Sequence, residues 1–234
     1  RVLAEDLDIM ETTKARMDTA KNINLYMYRS LSYSYILILQ SKYSVDAKID
    51  ELRDIYIKSM HYFLQAFNKR NPIYADILNY VSLGVLLNIP DNNFRQLIDY
   101  VKQMDKQAKP SGWTPDLLLW FMLNSRMKEQ EKQKYAETLA YPRLYNGLYK
   151  VIQAPNAAAA KDALNKYLDR WYNLNSNAPW YNSHLKDNSY RGYWAWEVAA
   201  VAKIMHIDDS DLKNNQYYPY DMVHWADNET TAKE

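Results

Sequence analysis

The chain contains no cysteine. Disulfides, thiolate nucleophiles and Cys-ligated zinc or iron–sulfur sites are therefore excluded. Glycine is almost as rare, with 4 in 234 residues, so a phosphate-cradling Gly-rich loop has nothing to be built from. Proline is modest at 8. All-β folds need many turns made of those two residues, so their scarcity favours long helices. Strongly apolar stretches, such as Tyr35 to Leu39 and Leu117 to Leu123, fall far short of the ~20 residues a membrane span requires. Neither HExxH nor GxSxG occurs, and His61, His184 and His224 stand isolated. These absences argue against a cofactor, a metal centre and a catalytic triad, and a chain without cysteine fits a reducing cytoplasm. The sequence opens on Arg1, which is compatible with a trimmed leader.

What is present is hydrophobic content and tyrosine. Hydrophobic residues make up 48% of the chain, enough for a substantial core. Tyrosine occurs 22 times beside 7 tryptophans. An apolar ring with a polar tip suits half-buried positions and protein interfaces, although packing between helices accounts for most single tyrosines. The net charge of +1 hides an imbalance. From His206 onward, seven Asp and Glu face two Lys, leaving −5 in the last 29 residues. Nucleic-acid binding calls for a basic stripe, which this end lacks; an acidic surface attracts a basic partner instead.

Periodicity predicts an all-α protein of about ten helices in two halves, 1–110 and 111–234. Leu25, Tyr28, Ser32, Tyr35 and Leu39 recur every three or four residues, as do Leu52, Tyr56, Met60, Phe63 and Phe67. Asn71-Pro72 reads as a cap with proline at the first helical position, opening a helix to about Leu87. Phe94, Leu97, Val101 and Met104 share the face of a fourth. These four are expected to form one antiparallel bundle, closed by the break at Lys109-Pro110-Ser111-Gly112. In the second half, Thr114-Pro115-Asp116 resembles another capped start. A charged helix is expected from Met127 to Ala140, one from Pro142 with Leu144, Leu148 and Val151, and one from the alanine run Ala157–Ala160 to Trp171. Asn173 to Ser189 reads as a polar loop carrying exposed Trp180 and Tyr181. A last helix is expected from Gly192 to about Met205, then a turn-rich acidic tail.

The helix after Gly192 carries the most information. Trp194, Glu197, Val198, Val201 and Met205 fall on one helical side, placing Glu197 on an apolar face. A buried carboxylate is costly unless hydrogen-bonded. It is either a general acid/base or an acceptor tying Tyr, Trp or Arg donors from neighbouring helices. Catalysis needs a second group, and none stands at matching spacing, so the acceptor role is preferred and no catalytic residue is assigned. His206, Asp208, Asp209 and Asp211 resemble cation ligands. An EF-hand loop, however, requires a central glycine and a glutamate where Pro219 stands, so Asp208 and Asp209 are read as capping a short following helix.

Gly192-Tyr193-Trp194-Ala195-Trp196-Glu197, Ile207-Asp208-Asp209-Ser210 and Tyr217-Tyr218-Pro219-Tyr220-Asp221 together resemble the PoNi-like immunity proteins of polymorphic DNase toxins. The resemblance is most specific from Tyr190 to Asp221. It implies an all-helical protein that neutralises a cognate nuclease toxin by direct binding inside the protected cell. A structural frame of Gly192, Tyr193, Trp194, Trp196, Glu197, Tyr218, Pro219, Tyr220 and Asp221 is then expected. Toxin contacts must diverge with each toxin, so they are expected outside it, at Trp180, Tyr181, Asp187, Tyr190, Asp208, Asp209 and Asp211. Basic DNase sites, which hold phosphate, suit acids and tyrosines as plugs. A helical scaffold binding a non-toxin partner is the alternative. A homodimer through tyrosine-rich faces also stays open.

Overall fold

A computed structural model describes residues 1–67, 73–106, 113–132, 134–186 and 190–231. Among them the regular elements are α-helices joined by turns and short 3-10 segments. The fold is all-α, as the spacing predicts. The chain divides into two compact units, residues 1–72 with 182–192, and residues 73–181 with 193–234.

The first unit holds α1 (Val2–Thr19), α2 (Leu25–Tyr43) and α3 (Ile49–Phe67). Asn24 starts α2 by accepting from the Met27 amide at 3.1 Å. The apolar stripes of α2 and α3 supply the core, with Leu31, Ile38 and Leu39 from one and Leu52, Tyr56, Met60 and Phe63 from the other. Ser59 Oγ donates to the Ser32 carbonyl at 2.7 Å, so the two backbones pass close together. Segment 182–192 returns to these helices. Arg191 grips the buried Asp6 carboxylate with Nε at 2.7 Å and Nη2 at 2.5 Å, Gln40 donates to the Gly192 carbonyl, and Ser44 to that of Arg191. Asp6 is 2% exposed, so its charge depends on this partner.

The second unit holds α4 (Tyr74–Leu86), α5 (Asp91–Lys106), α6 (Leu117–Asn124), α7 (Pro142–Ile152), α8 (Ala157–Leu174), α9 (Trp196–Met205) and α10 (Tyr220–Thr231). Helix α4 is buried almost all round and packs on α9 and α6. Helix α9 offers Val198, Ala199, Ala200, Val201 and Ala202, all buried; its small residues let neighbours approach. Helices α7 and α8 meet where Gly147 has no side chain, since a Cβ there would lie 2.5 Å from Tyr167 Cδ2.

Several expectations need correction. The single four-helix bundle of the first half does not form. Helix α4 lacks a polar side, so it serves as an interior element of the second unit rather than an outer helix of a bundle. Among the described residues of the expected Met127–Ala140 helix, a 3-10 turn at Glu129–Glu131 is the one helical element. That segment has no apolar stripe to bury; Asp116 captures its Ala140 amide at 2.7 Å and Tyr135 stacks on Trp120. Helix α9 begins at Trp196 and not Gly192, because residues 191–195 are irregular, with Gly192 at φ 88°, so Trp194 is not on a helical face with Glu197. The acidic tail forms α10. The expected cap at Asn71-Pro72 and the break at Lys109 to Gly112 lie outside the described residues.

Candidate functional site

Buried acids in this protein serve as hubs for hydrogen-bond donors. Asp116 is the residue that caps α6, accepting from the Leu119 amide at 2.8 Å, from Tyr74 Oη at 2.9 Å and from the Ala140 amide. Asp105 accepts from Trp113 and Trp120 indoles at 2.8 and 2.7 Å. Burial raises both carboxyls above the ordinary range, and these hydrogen bonds oppose the rise.

Glu197, in the first turn of α9, is the extreme case. It is 7% exposed, and Trp171 Nε1 on α8 donates to its Oε1 at 2.6 Å. Burial pushes the carboxyl up to about 7 against the pull of its own backbone amide and the Trp171 bond. The Tyr145 and Tyr167 phenols are raised by burial first, then by the Glu197 charge. An acid this enclosed fixes Trp171 in place.

Trp171 opens outward into an aromatic cluster. Trp180 stacks on it at 5.3 Å between centroids. Tyr172 stacks on Tyr181 at 4.5 Å and on Tyr217 at 5.4 Å, and Tyr193 packs against Tyr172 and Trp180. The Ala195 amide donates to the Tyr217 carbonyl at 2.8 Å, tying the residue before α9 to this cluster. Trp180 and Tyr181, expected to be exposed on a loop, are half-buried against α8, and Tyr193 is buried. Trp194 is half-buried beside the buried Trp196, their rings 6.0 Å apart. Tyr172 escaped the sequence reading, which treated the loop aromatics without their base and named Tyr217 only within the run to Asp221.

The acids divide sharply. Asp209 is 3% exposed and accepts from Tyr218 Oη at 2.6 Å, with His224 Nε2 at 2.8 Å from its other oxygen. It is not a surface acid, because its two oxygens bind the segment leading into α10. Tyr218 and Pro219 are buried with it, Tyr220 packs on His224 at 4.4 Å, and Asp221 is exposed in the first turn of α10. Asp208 and Asp211 are exposed. Asp208 accepts from Ser210 Oγ at 2.7 Å, and Lys161 Nζ reaches Asp208 at 2.9 Å and Asp211 at 3.1 Å. Asn165 donates to Asp211 at 2.9 Å. The Ser210 bond and then Lys161 hold Asp208 well below the carboxylate range, and Asn165 and then Lys161 lower Asp211.

Helix α8 joins these features. Lys161, Asn165 and Tyr172 fall within a narrow stripe at about 100° per residue, roughly 16 Å from end to end. One flank of α8 thus carries the acidic pair at its N-terminal end and the half-open aromatic cluster at the other. In the first unit, Tyr190 is 47% exposed and meets the His184 ring edge-on. Asp187 lies outside the described residues. Among the described residues no group of three or more His, Asp or Glu is placed to hold a metal ion, and no helix is long and apolar enough to cross a membrane. His206 takes a left-handed conformation, φ 52°, at the C-cap of α9.

Two family models match the chain. The N-terminal model of the PoNe immunity proteins (PoNi) matches residues 5–99 and the C-terminal one residues 114–222. The crystal structure of protein PA2201 from Pseudomonas aeruginosa aligns over 98% of this chain and 87% of its own, with a TM-score of 0.71 at 18% identity. That likeness shows a shared fold. No curated protein matches the chain.

Proposed function

The chain belongs to the PoNe immunity protein (PoNi) family, and we propose that it binds a cognate DNase toxin and blocks it stoichiometrically inside the protected cell. The observation that carries this reading is the pair of family matches, which together run from residue 5 to 222. The protein acts by occupying the toxin, with no turnover of its own.

The outer flank of α8 supports this role. Asp208 and Asp211 stay ionised across the physiological range and stand exposed, so a basic, phosphate-binding toxin surface meets fixed negative charge. Trp180, Tyr181, Tyr172 and Tyr217 form a rigid aromatic platform beside them; aromatics of this kind are the usual anchors of tight interfaces. Tyr190 on the first unit is a further contact in this reading, and Asp209 is withdrawn from it.

The test is whether an adjacent open reading frame encodes a nuclease toxin, followed by co-expression of the two. Survival of the cells and a 1:1 complex on purification are expected. Asp208→Lys with Asp211→Lys should weaken binding, chiefly by slowing association in low salt, and Trp180→Ala should speed dissociation. Unprotected cells and no complex would reject the toxin reading in favour of a scaffold. A complex indifferent to all three substitutions would move the contact surface elsewhere.

A further inference from the structure

The other flank of α8 has the opposite character. There α7 and α8 form an open groove of about 560 Å³. Arg143 and Lys150 line the edge contributed by α7, and Lys166 and Arg170 the edge contributed by α8. Asp162 is the acid lining the groove, and it pairs with Lys166 at 2.7 Å. Arg143, Lys150 and Arg170 are exposed, and among the described residues no carboxylate forms an ion pair with them.

Spacing makes these cations into two rows. Arg143 and Lys150 are two turns apart on α7, about 10 Å along the helix, and Lys166 and Arg170 are one turn apart on α8, about 6 Å. Ala163 and the ring of Tyr167 lie between the rows. Tyr167 is held there by its hydroxyl, which donates to the Leu144 carbonyl at 3.0 Å. Two cationic edges over an apolar floor match a helix with a narrow apolar stripe and carboxylates on both sides of it. A nucleic-acid backbone fits less well. Asp162 faces it within the groove, the exposed Asp169 follows on the same helix, and three unpaired cations neutralise few phosphates.

We infer that the α7–α8 groove docks an acidic amphipathic helical segment of a protein partner. This goes beyond the toxin reading. It concerns a separate face and holds for whichever partner presents such a segment.

The probe is a fluorescein-labelled peptide of about four helical turns, with leucine on one stripe and glutamate flanking it. Its anisotropy is followed on titration with the full chain at about 50 mM and about 300 mM NaCl. A matched lysine peptide and a labelled DNA duplex are run alongside. The acidic peptide should bind, and salt should weaken it. The triple variant Arg143→Glu, Lys150→Glu, Arg170→Glu should lose at least about tenfold in affinity. The variant Lys14→Glu, Lys21→Glu, Lys58→Glu changes net charge equally at positions that do not line the groove, and should stay within about twofold. Ala163→Trp fills the groove without altering charge and should also weaken binding, which covers the case of a triple variant that does not fold. Absence of peptide binding, equal losses in the two triple variants, no effect of Ala163→Trp, or tighter binding of the duplex than of the peptide would each overturn the inference.

Discussion

Replacing Glu197 by glutamine isolates the burial cost of one charge. In the unfolded chain this carboxyl titrates at its ordinary 4.5, and in the folded protein burial moves it to about 7. The folded state therefore binds the proton more tightly, and stability falls as pH rises through this window. The contribution is complete below about pH 4 and lost above about pH 8. A separation of that size corresponds to about 3 kcal/mol. Glutamine keeps an oxygen for the Trp171 indole and cannot ionise. Urea unfolding followed by tryptophan fluorescence at pH 5 and pH 8 measures the difference. At pH 5 the two proteins should agree within about 1 kcal/mol, and at pH 8 Glu197→Gln should be the more stable by roughly 2–3 kcal/mol. Asp105 and Asp116 are common to both proteins and cancel in the comparison. Parallel pH profiles, or a glutamine variant less stable at pH 8, would refute the argument that Glu197 is a desolvated acceptor.

Other substitutions probe other contacts. Arg191→Ala should cost about 3–5 kcal/mol in thermal or urea unfolding, because it strands the Asp6 charge in the interior. Gly147→Ala should destabilise by about 1–3 kcal/mol despite alanine's helix preference, since its Cβ collides with the Tyr167 ring; a rise in melting temperature would contradict this. Asp209→Ala leaves the buried Tyr218 hydroxyl without its acceptor and should cost about 1–3 kcal/mol, with amide hydrogen exchange speeding up first in α10.

The helical class was legible because stripes such as Leu52, Tyr56, Met60 and Phe63 report burial at first order in the sequence. The capped start at Thr114-Pro115-Asp116 was legible for the same reason: Asp116 and the Leu119 amide it accepts from lie within three residues. Family membership could be read from the run Tyr190 to Asp221. What escaped depends on distant partners. Asp209 looks like its neighbour Asp208, and only the approach of Tyr218 and His224 removes it from the surface. Trp180 and Tyr181 sit in a polar stretch, so their stacking on Trp171 and Tyr172 leaves no periodic trace. Met127–Ala140 misleads in the other direction. Its charged residues favour helix locally, but without an apolar face tertiary contacts to Asp116 and Trp120 take the segment.

The clasp of Arg191 on Asp6 spans 185 positions of sequence. A ribosome that has delivered all of α1, α2 and α3 has yet to supply the cation their buried acid needs, so the opening helices wait for most of the message before they can close. A gene fragment cut between the two family segments, after residue 99, would carry that acid without its counterion. Made alone, the first segment would keep a buried acid uncompensated, and its helices would close less firmly than in the whole chain.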